Sequence, residues 1–308
     1  MAKGSCRKSF TLALLECGKA DSDIFLIATD SRGSVTADSF FNELSDQAIE
    51  CGIAEQNAVG IASGLAKTGK NVFVTGPACF LAARAYEQIK VDVAYNKTNV
   101  KIVGVSAGVS YGPLGCTHTT MHDYASMRAL PNITILAPSD DVQTKYITNI
   151  LAKVSGPYYM RMGRGDVERV YDPGESFEIG KAKTVCDGDD ITIIACGEMV
   201  YHAKKAAEKL LETGISARVL DMFTIRPIDT NAVIKACSET KAIITVEEHS
   251  TNGGLGEAVA HVAAENNPVP IKMMGLPEEV VIGKNHELFE YYGLTAEGIA
   301  KTAINLCK

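Results

Sequence analysis

Cys51-Gly52-Ile53-Ala54-Glu55-Gln56-Asn57-Ala58-Val59-Gly60-Ile61-Ala62-Ser63-Gly64-Leu65-Ala66 sets one carboxylate at the head of a segment that is otherwise small or apolar. The pattern predicts a helix that begins near Ile53 or Ala54, runs to Lys67 and stops at Gly69, a residue suited to the left-handed conformation that ends helices. Gly60 and Gly64 lie inside it, where each costs about 1 kcal/mol relative to alanine, so a close backbone approach is expected to offset them. An ionised carboxyl group is expensive in such an apolar interface; it either binds a proton or shares one with a basic ligand atom. Glu55 is therefore the first candidate for chemistry. The plain alternative is a first-turn glutamate favoured by the helix dipole.

Outward from this segment, apolar runs alternate with helical patterns nearly throughout, which predicts parallel sheets covered by helices on both faces. The first block reads as a helix from about Arg7 to Gly18, a strand at Ile24–Thr29, the Glu55 helix, a strand at Val72–Thr75, a helix at Ala82–Tyr95 and a strand at Lys101–Val105. A helix from about His122 to Leu130 and strands near Thr134–Leu136 and Tyr158–Met160 complete it. Asp172-Pro173-Gly174-Glu175 is a turn-rich boundary. After a short hairpin-like piece the pattern repeats, with strands at Ile191–Ala195, Ala217–Asp221 and Ala242–Glu247 and helices at Tyr201–Thr213, Asn231–Ser238 and Gly256–Glu265. The expected fold class is α/β, with two doubly wound domains at residues 1–172 and 178–308 and a mostly parallel sheet in the first.

The 308 residues suffice for two domains, each with its own core. A net charge of −7 with no basic stripe argues against nucleic acid or a membrane surface as partner. No apolar run is long enough to span a bilayer, and the opening Met-Ala-Lys-Gly-Ser-Cys lacks the apolar stretch of a signal peptide, so a cytoplasmic location is expected. Nine scattered cysteines without a Cys-x-x-Cys pair fit reduced, mostly buried thiols.

Gly52-Ile53-Ala54-Glu55-Gln56 through Leu65-Ala66 resembles the thiamine-diphosphate enzymes of the transketolase and 1-deoxyxylulose-5-phosphate synthase group, and the likeness extends over nearly the whole chain. It implies a pyrimidine-binding domain over 1–172 and the family's C-terminal domain over 178–308. It implies also that Glu55 hydrogen-bonds N1′ of the cofactor's aminopyrimidine and so activates the thiazolium, the part that carries the carbanion chemistry. The segment Pro77-Ala78-Cys79-Phe80-Leu81-Ala82-Ala83-Arg84 follows a strand ending at Thr75-Gly76, and sites of open α/β sheets lie outside such carboxyl ends. Phe80 matches the family ring that stacks on the aminopyrimidine, and Pro77 stands where a second aromatic is common. Read alone, Phe80 is a core residue at a helix start and Arg84 with Glu87 a helix-surface pair.

Gly112-Pro113-Leu114-Gly115-Cys116-Thr117-His118, followed by Met127-Arg128-Ala129-Leu130-Pro131-Asn132, resembles the family loop whose histidine faces the reactive end of the cofactor. The resemblance gives His118 the role of proton donor and orienter of sugar hydroxyls. Leu114 stands where the family has an aspartate that recognises a substrate hydroxyl. That implies an altered donor, an unusual ketose or a sugar bearing another anionic group such as a sulfonate. Arg7 and Arg164 match two arginines that hold the sugar-phosphate tail, a task suited to guanidinium forks. Ser34 and Asp30 lie near the family's serine contact and substrate-facing aspartate, and Arg32 is a candidate third guanidinium. Singly, each reads as an exposed surface residue; their order along the chain carries the assignment.

The family's separate diphosphate domain, with its Gly-Asp-Gly start and downstream asparagine, has no counterpart, since Cys186-Asp187-Gly188-Asp189-Asp190 reads as a turn. The resemblance therefore implies the C-terminal subunit of a split transketolase. An N-terminal transketolase subunit would hold the diphosphate and its Mg²⁺ or Ca²⁺, in an α2β2 heterotetramer with no metal ligand from this chain. The expected activity moves a two-carbon ketol unit from a ketose phosphate to an aldose, in the pentose-phosphate part of carbohydrate metabolism. The rivals are the beta subunit of a 2-oxo acid dehydrogenase and a non-catalytic partner-binding subunit. Two other constellations compete locally. Cys116-x-His118-x3-His122 followed by Asp123 has zinc-ligand types. Glu247-Glu248-His249 with Thr251-Asn252-Gly253-Gly254-Leu255-Gly256 could present backbone N–H groups to an anion, but without Rossmann spacing a structural or interface role is expected.

Overall fold

The computed structural model describes residues 2–307. The first block carries β1 (Lys3–Ser5), α1 (Cys6–Ala20), β2 (Ile24–Ala28), α2 (Asp38–Glu43), β3 (Ala48–Glu50), α3 (Glu55–Lys67), β4 (Asn71–Pro77), α4 (Ala78–Arg84), α5 (Tyr86–Gln88), β5 (Val100–Val105), α6 (Asp123–Arg128), β6 (Thr134–Leu136), α7 (Asp141–Leu151), β7 (Tyr158–Met162) and β8 (Asp166–Glu168). The second carries β9 (Lys183–Cys186), β10 (Ile191–Ala195), α8 (Met199–Glu212), β11 (Ala217–Asp221), β12 (Thr224–Arg226), α9 (Thr230–Glu239), β13 (Ile243–Ser250), α10 (Leu255–Asn266), β14 (Ile271–Leu276), α11 (Asn285–Tyr291) and α12 (Ala296–Cys307).

One sheet has the strand order β12-β6-β7-β5-β4-β2-β3 and is parallel except for the β12–β6 pair. A second has the order β14-β13-β10-β11-β9 and is parallel except for β9, and β1 and β8 form a third, two-stranded antiparallel sheet. Every residue of β4, β5 and β10 is buried, as apolar strands covered by helices on both sides require. The α/β class agrees with the sequence, and the differences are local. β4 runs on to Pro77, and α4 begins directly after it, earlier than the helix expected from Ala82. That helix does not run unbroken to Tyr95; it breaks at Ala85 and closes as a π-helical turn over Ile89–Tyr95. The hairpin-like piece is instead β9, an antiparallel edge against β11. β1, α2, β3, α7, β8, β12, β14, α11 and α12 were not anticipated.

β12 crosses from the second block to pair with β6 and closes one edge of the first sheet. Arg226 Nη1 clamps the crossing by donating to the backbone carbonyls of Arg128, at 2.7 Å, and Leu130. Strands β2 to β7 are mutually parallel, so their carboxyl ends share one edge. Asp30 follows β2, Glu55 follows β3, Pro77 ends β4, the loop to His118 follows β5 and Arg164 follows β7.

Candidate functional site

Glu50, the last residue of β3, accepts hydrogen bonds from the Asp30 amide at 2.7 Å and the Gly52 amide at 3.0 Å. One carboxylate thereby ties the turn after β2 to the turn that leads into α3, where Gly52 takes a φ of 66°. Glu55 opens α3 and is only 4% exposed. Its Oε1 accepts from Arg84 Nη1 at 3.0 Å, and the same guanidinium lies 4.0 Å from the centroid of the Phe80 ring. An open cleft of about 670 Å³ is lined by Ile53, Ala54, Glu55, Gln56, Asn57 and Arg84. The expected Arg84–Glu87 pair is not formed. Four-residue spacing puts Arg84 on the Phe80 face of α4, whereas Glu87 lies beyond the break at Ala85 and accepts from Gln88 Nε2 at 2.7 Å.

The contacts continue from Phe80. Its ring meets His118 edge-on, with centroids 5.1 Å apart, and His118 meets Tyr111 in the same way at 5.3 Å. His118 Nδ1 lies 2.9 Å from Thr117 Oγ1. The Arg164 guanidinium sits 4.4 Å from the Tyr111 ring centroid and donates to its hydroxyl. Arg7 donates to the backbone carbonyl of Ser34. Burial, then the nearby Arg164 guanidinium, push the pKa of Arg7 below its ordinary value. The Arg7 Nε is buried without a hydrogen-bond partner, so neighbouring like charges and an unused donor converge where an anion would satisfy both.

Asp30 is exposed, with a φ of 53°, and Ser34 meets Arg7 through its carbonyl rather than its hydroxyl. Pro77 is buried and serves as the N-cap residue of α4. Arg32 pairs with Asp38 at 3.2 Å and lies 4.5 Å over the Phe41 ring, so the expected third guanidinium is engaged with α2. Leu114 is 53% exposed in the 3-10 turn Gly112–Thr117.

A buried polar network holds the His118 loop from behind. Arg161 donates to Asp123 at 2.9 Å and to the Glu248 carbonyl at 2.8 Å, and the Tyr159 hydroxyl donates to Asp123 at 2.7 Å. Burial opposes the charge on Arg161, but Asp123, Tyr124 and Glu248 outweigh it and raise its pKa. Glu248 Oε1 accepts from the Val109 amide at 2.7 Å, and its carboxylate fills the space that a Cβ on Gly108 would need. The zinc arrangement is thereby overturned, because Asp123 is fully buried against Arg161 and Tyr159. Among the described residues no group of three or more His, Cys, Asp or Glu side chains is placed to hold a metal ion. The anion alternative at α10 fails too. Glu247 accepts from the Leu255 and Gly256 amides, each at 2.7 Å, and occupies that helix start itself.

Three residues around the site escaped the sequence. Arg84 had a usable signal in its spacing from Phe80, whereas Tyr111 and Glu50 lie in segments with no period and act through contacts distant in sequence.

Residues 2–169 match the family model described as transketolase, pyrimidine binding domain, and residues 180–299 the model described as transketolase, C-terminal domain. The chain is 54% identical over 306 residues to an apulose-4-phosphate transketolase subunit of Phocaeicola vulgatus, covering 99% of this chain and 98% of that one. It is 35% identical over 298 residues to a 6-deoxy-6-sulfo-D-fructose transketolase subunit of a Clostridium species, covering 96% and 92%. A solved structure described as a split gene transketolase, inactive beta4 tetramer, matches with a TM-score of 0.89 at 36% identity, over 98% of this chain and 97% of that chain.

Proposed function

Because this chain belongs to the transketolase family, we propose that it forms the pyrimidine side of a thiamine-diphosphate site whose diphosphate and metal ion, Mg²⁺ or Ca²⁺, are held by an N-terminal partner subunit. The observation that carries this reading is the placement of Arg84. Its guanidinium is a planar N–H donor stacked on Phe80 and bonded to the buried Glu55, the two contacts an aminopyrimidine would make there. The residues fit the group. When bound, the cofactor supplies the carbanion chemistry for transfer of a two-carbon ketol unit.

Glu55 holds the proton at N1′ from a carboxylate shielded from water. Phe80 offers the stacking face, and Pro77 fixes the start of the helix that presents it. His118, with Nδ1 beside Thr117, keeps Nε2 for the hydroxyl protons of the sugar. Arg7 and Arg164 hold the anionic tail, with Asp30 and Ser34 on the turn beside them. The donor is an anionic ketose, phosphorylated or sulfonated, other than the usual pentose phosphates. Leu114, apolar where a hydroxyl-recognising aspartate is expected, supports this, as do relatives named for apulose 4-phosphate and 6-deoxy-6-sulfo-D-fructose.

The assembly we propose is α2β2. Gly60 and Gly64 are exposed, and a Cβ on either would meet nothing within 4 Å, so their cost inside α3 is offset by a neighbour outside the chain. A second copy on this face would supply it, and Ile53, 75% exposed, lies at its end. The related chain described as an inactive beta4 tetramer supports a requirement for the partner. A cytoplasmic location belongs to this reading; among the described residues no helix is long and apolar enough to cross a membrane.

Calorimetric titration of thiamine diphosphate with Mg²⁺ into this chain, its partner and their mixture tests the proposal. Binding by the mixture alone is expected, with Glu55→Ala lowering ketol transfer by roughly 100-fold or more. No binding by any combination would sink it.

A further inference from the structure

Tyr111 touches both functional ends of the site. Its ring carries the Arg164 guanidinium and also meets His118 edge-on, with the Tyr111 and His118 centroids 5.3 Å apart. Arg164 Nη1 donates to the hydroxyl oxygen, which leaves the hydroxyl hydrogen to be donated elsewhere. Arg7 lies within electrostatic reach of the same side chain, and its buried Nε lacks an acceptor. The backbone below is held firmly. The Tyr111 carbonyl accepts from the Leu114 amide at 2.8 Å, and Glu248 of the second block fixes Val109 two residues earlier.

We propose that Tyr111 is a specificity-determining residue of this site. Its hydroxyl is the third donor, beside Arg7 and Arg164, to a tetrahedral oxyanion at the tail of the ketose. Its ring fixes the separation between that anion and His118, and so the length of sugar that fits. The proposal rests on the reading of Arg164 as the residue that holds the anionic tail. A hydroxyl is needed because the two arginines bring only cationic forks. A neutral donor adds a directional bond without a third like charge.

The test compares Tyr111→Phe, Tyr111→Leu and Arg164→Met in the reconstituted complex, with a ketose phosphate, a ketose sulfonate and an uncharged ketose as donors. For Tyr111→Phe the KM of the anionic donors is expected to rise roughly tenfold, as for loss of one hydrogen bond to a charged group. The change in kcat should be much smaller, and the KM of the uncharged ketose should not rise in step. Tyr111→Leu should in addition lower kcat, since His118 loses one of its two ring neighbours. A KM rise equal for charged and uncharged donors would overturn the proposal, because a purely structural tyrosine would act that way. Wild-type behaviour of Tyr111→Phe beside an impaired Arg164→Met would overturn it and leave the tail assignment standing. An unimpaired Arg164→Met, or absence of transfer altogether, would count against the assignment itself. Titration of the complex with inorganic phosphate then decides for Tyr111: weaker binding by Tyr111→Phe supports the hydroxyl as a donor, and equal binding overturns it.

Discussion

Arg84 donates to Glu55 at 3.0 Å across a boundary in solvation: the carboxylate is 4% exposed and the guanidinium 47%. The arginine reaches in from the surface and holds a buried acid that lines the cleft. Anything that docks on Glu55 and Phe80 must first move it aside.

Replacement of Arg84 therefore makes the slot easier to enter. The half-exposed ion pair contributes about 1 kcal/mol or less, and the contact with Phe80 a similar amount. Arg84→Met is expected to tighten thiamine diphosphate binding by the complex roughly 3- to 10-fold. Calorimetric titration measures it, and weaker binding would mean that Arg84 assists the cofactor.

Leu114→Asp restores the acid that the family resemblance places in the 3-10 turn of the His118 loop. At 53% exposure the new carboxylate stays solvated, so folding should be little affected. The ratio of kcat/KM for a common pentose phosphate to that for the native donor should rise by about tenfold, the scale of one substrate hydroxyl contact. An unchanged ratio in a donor screen would remove Leu114 from donor choice.

Arg161 and Asp123 form an ion pair buried on both sides, with exposures of 4% and 0%. Arg161→Met strands the Asp123 charge in the interior, a loss of about 3–5 kcal/mol. Denaturant titration of the folded complex should show a clearly lower midpoint, and a shift within error would place water around this pair.

Lys101 gives a signed pH effect. Its side chain is fully buried, its Nζ donates to the Val154 carbonyl at 2.8 Å, and burial pushes its pKa down to about 7 from 10.5. Between those values the unfolded chain binds a proton that the folded chain does not, so this group adds stability as the pH rises from 7 towards 10.5. Below pH 7 its penalty is constant. In denaturant titrations at pH 7.5 and 9.5, Lys101→Met should gain less from the higher pH than the wild type; equal gains would place a solvated ammonium at this position.

Gly60→Leu separates folding from assembly. Within one chain the new side chain meets open space and a better helix former replaces glycine, so the protomer should fold normally. On a face that receives a second copy it should split the assembly, as read by sedimentation velocity. An intact assembly would move the interface elsewhere.

Much of the fold was legible because periodicity is a local signal. The parallel strands at Lys101 and Ile191 announce themselves as runs rich in β-branched residues and that at Ile24 as an apolar run, and the order of Glu55, Phe80, His118 and Arg164 was readable from short motifs. β3, only three residues long, and α7, interrupted by Gln143, Thr144 and Thr148, carry weaker patterns. Gln143 is buried there because its amide bonds Asp221, far along the chain. The grouping around Tyr111 was hidden for the same reason, since its neighbours Arg164, after β7, and Arg7, in the first turn of α1, are distant in sequence. Arg32 was misread because its partner, Asp38, lies on a short helix that the sequence did not reveal.

The turn at Asp172–Glu175 looks like a place to cut the protein in two, yet β12 lies beyond it. A first half produced alone would lose the antiparallel neighbour of β6 and bare the backbone donors and acceptors along that edge. It would also lose the Arg226 clamp on Arg128 and Leu130. Such a fragment would be prone to stick to copies of itself. The two halves can be told apart by eye, but the first relies on a strand of the second to cover its edge.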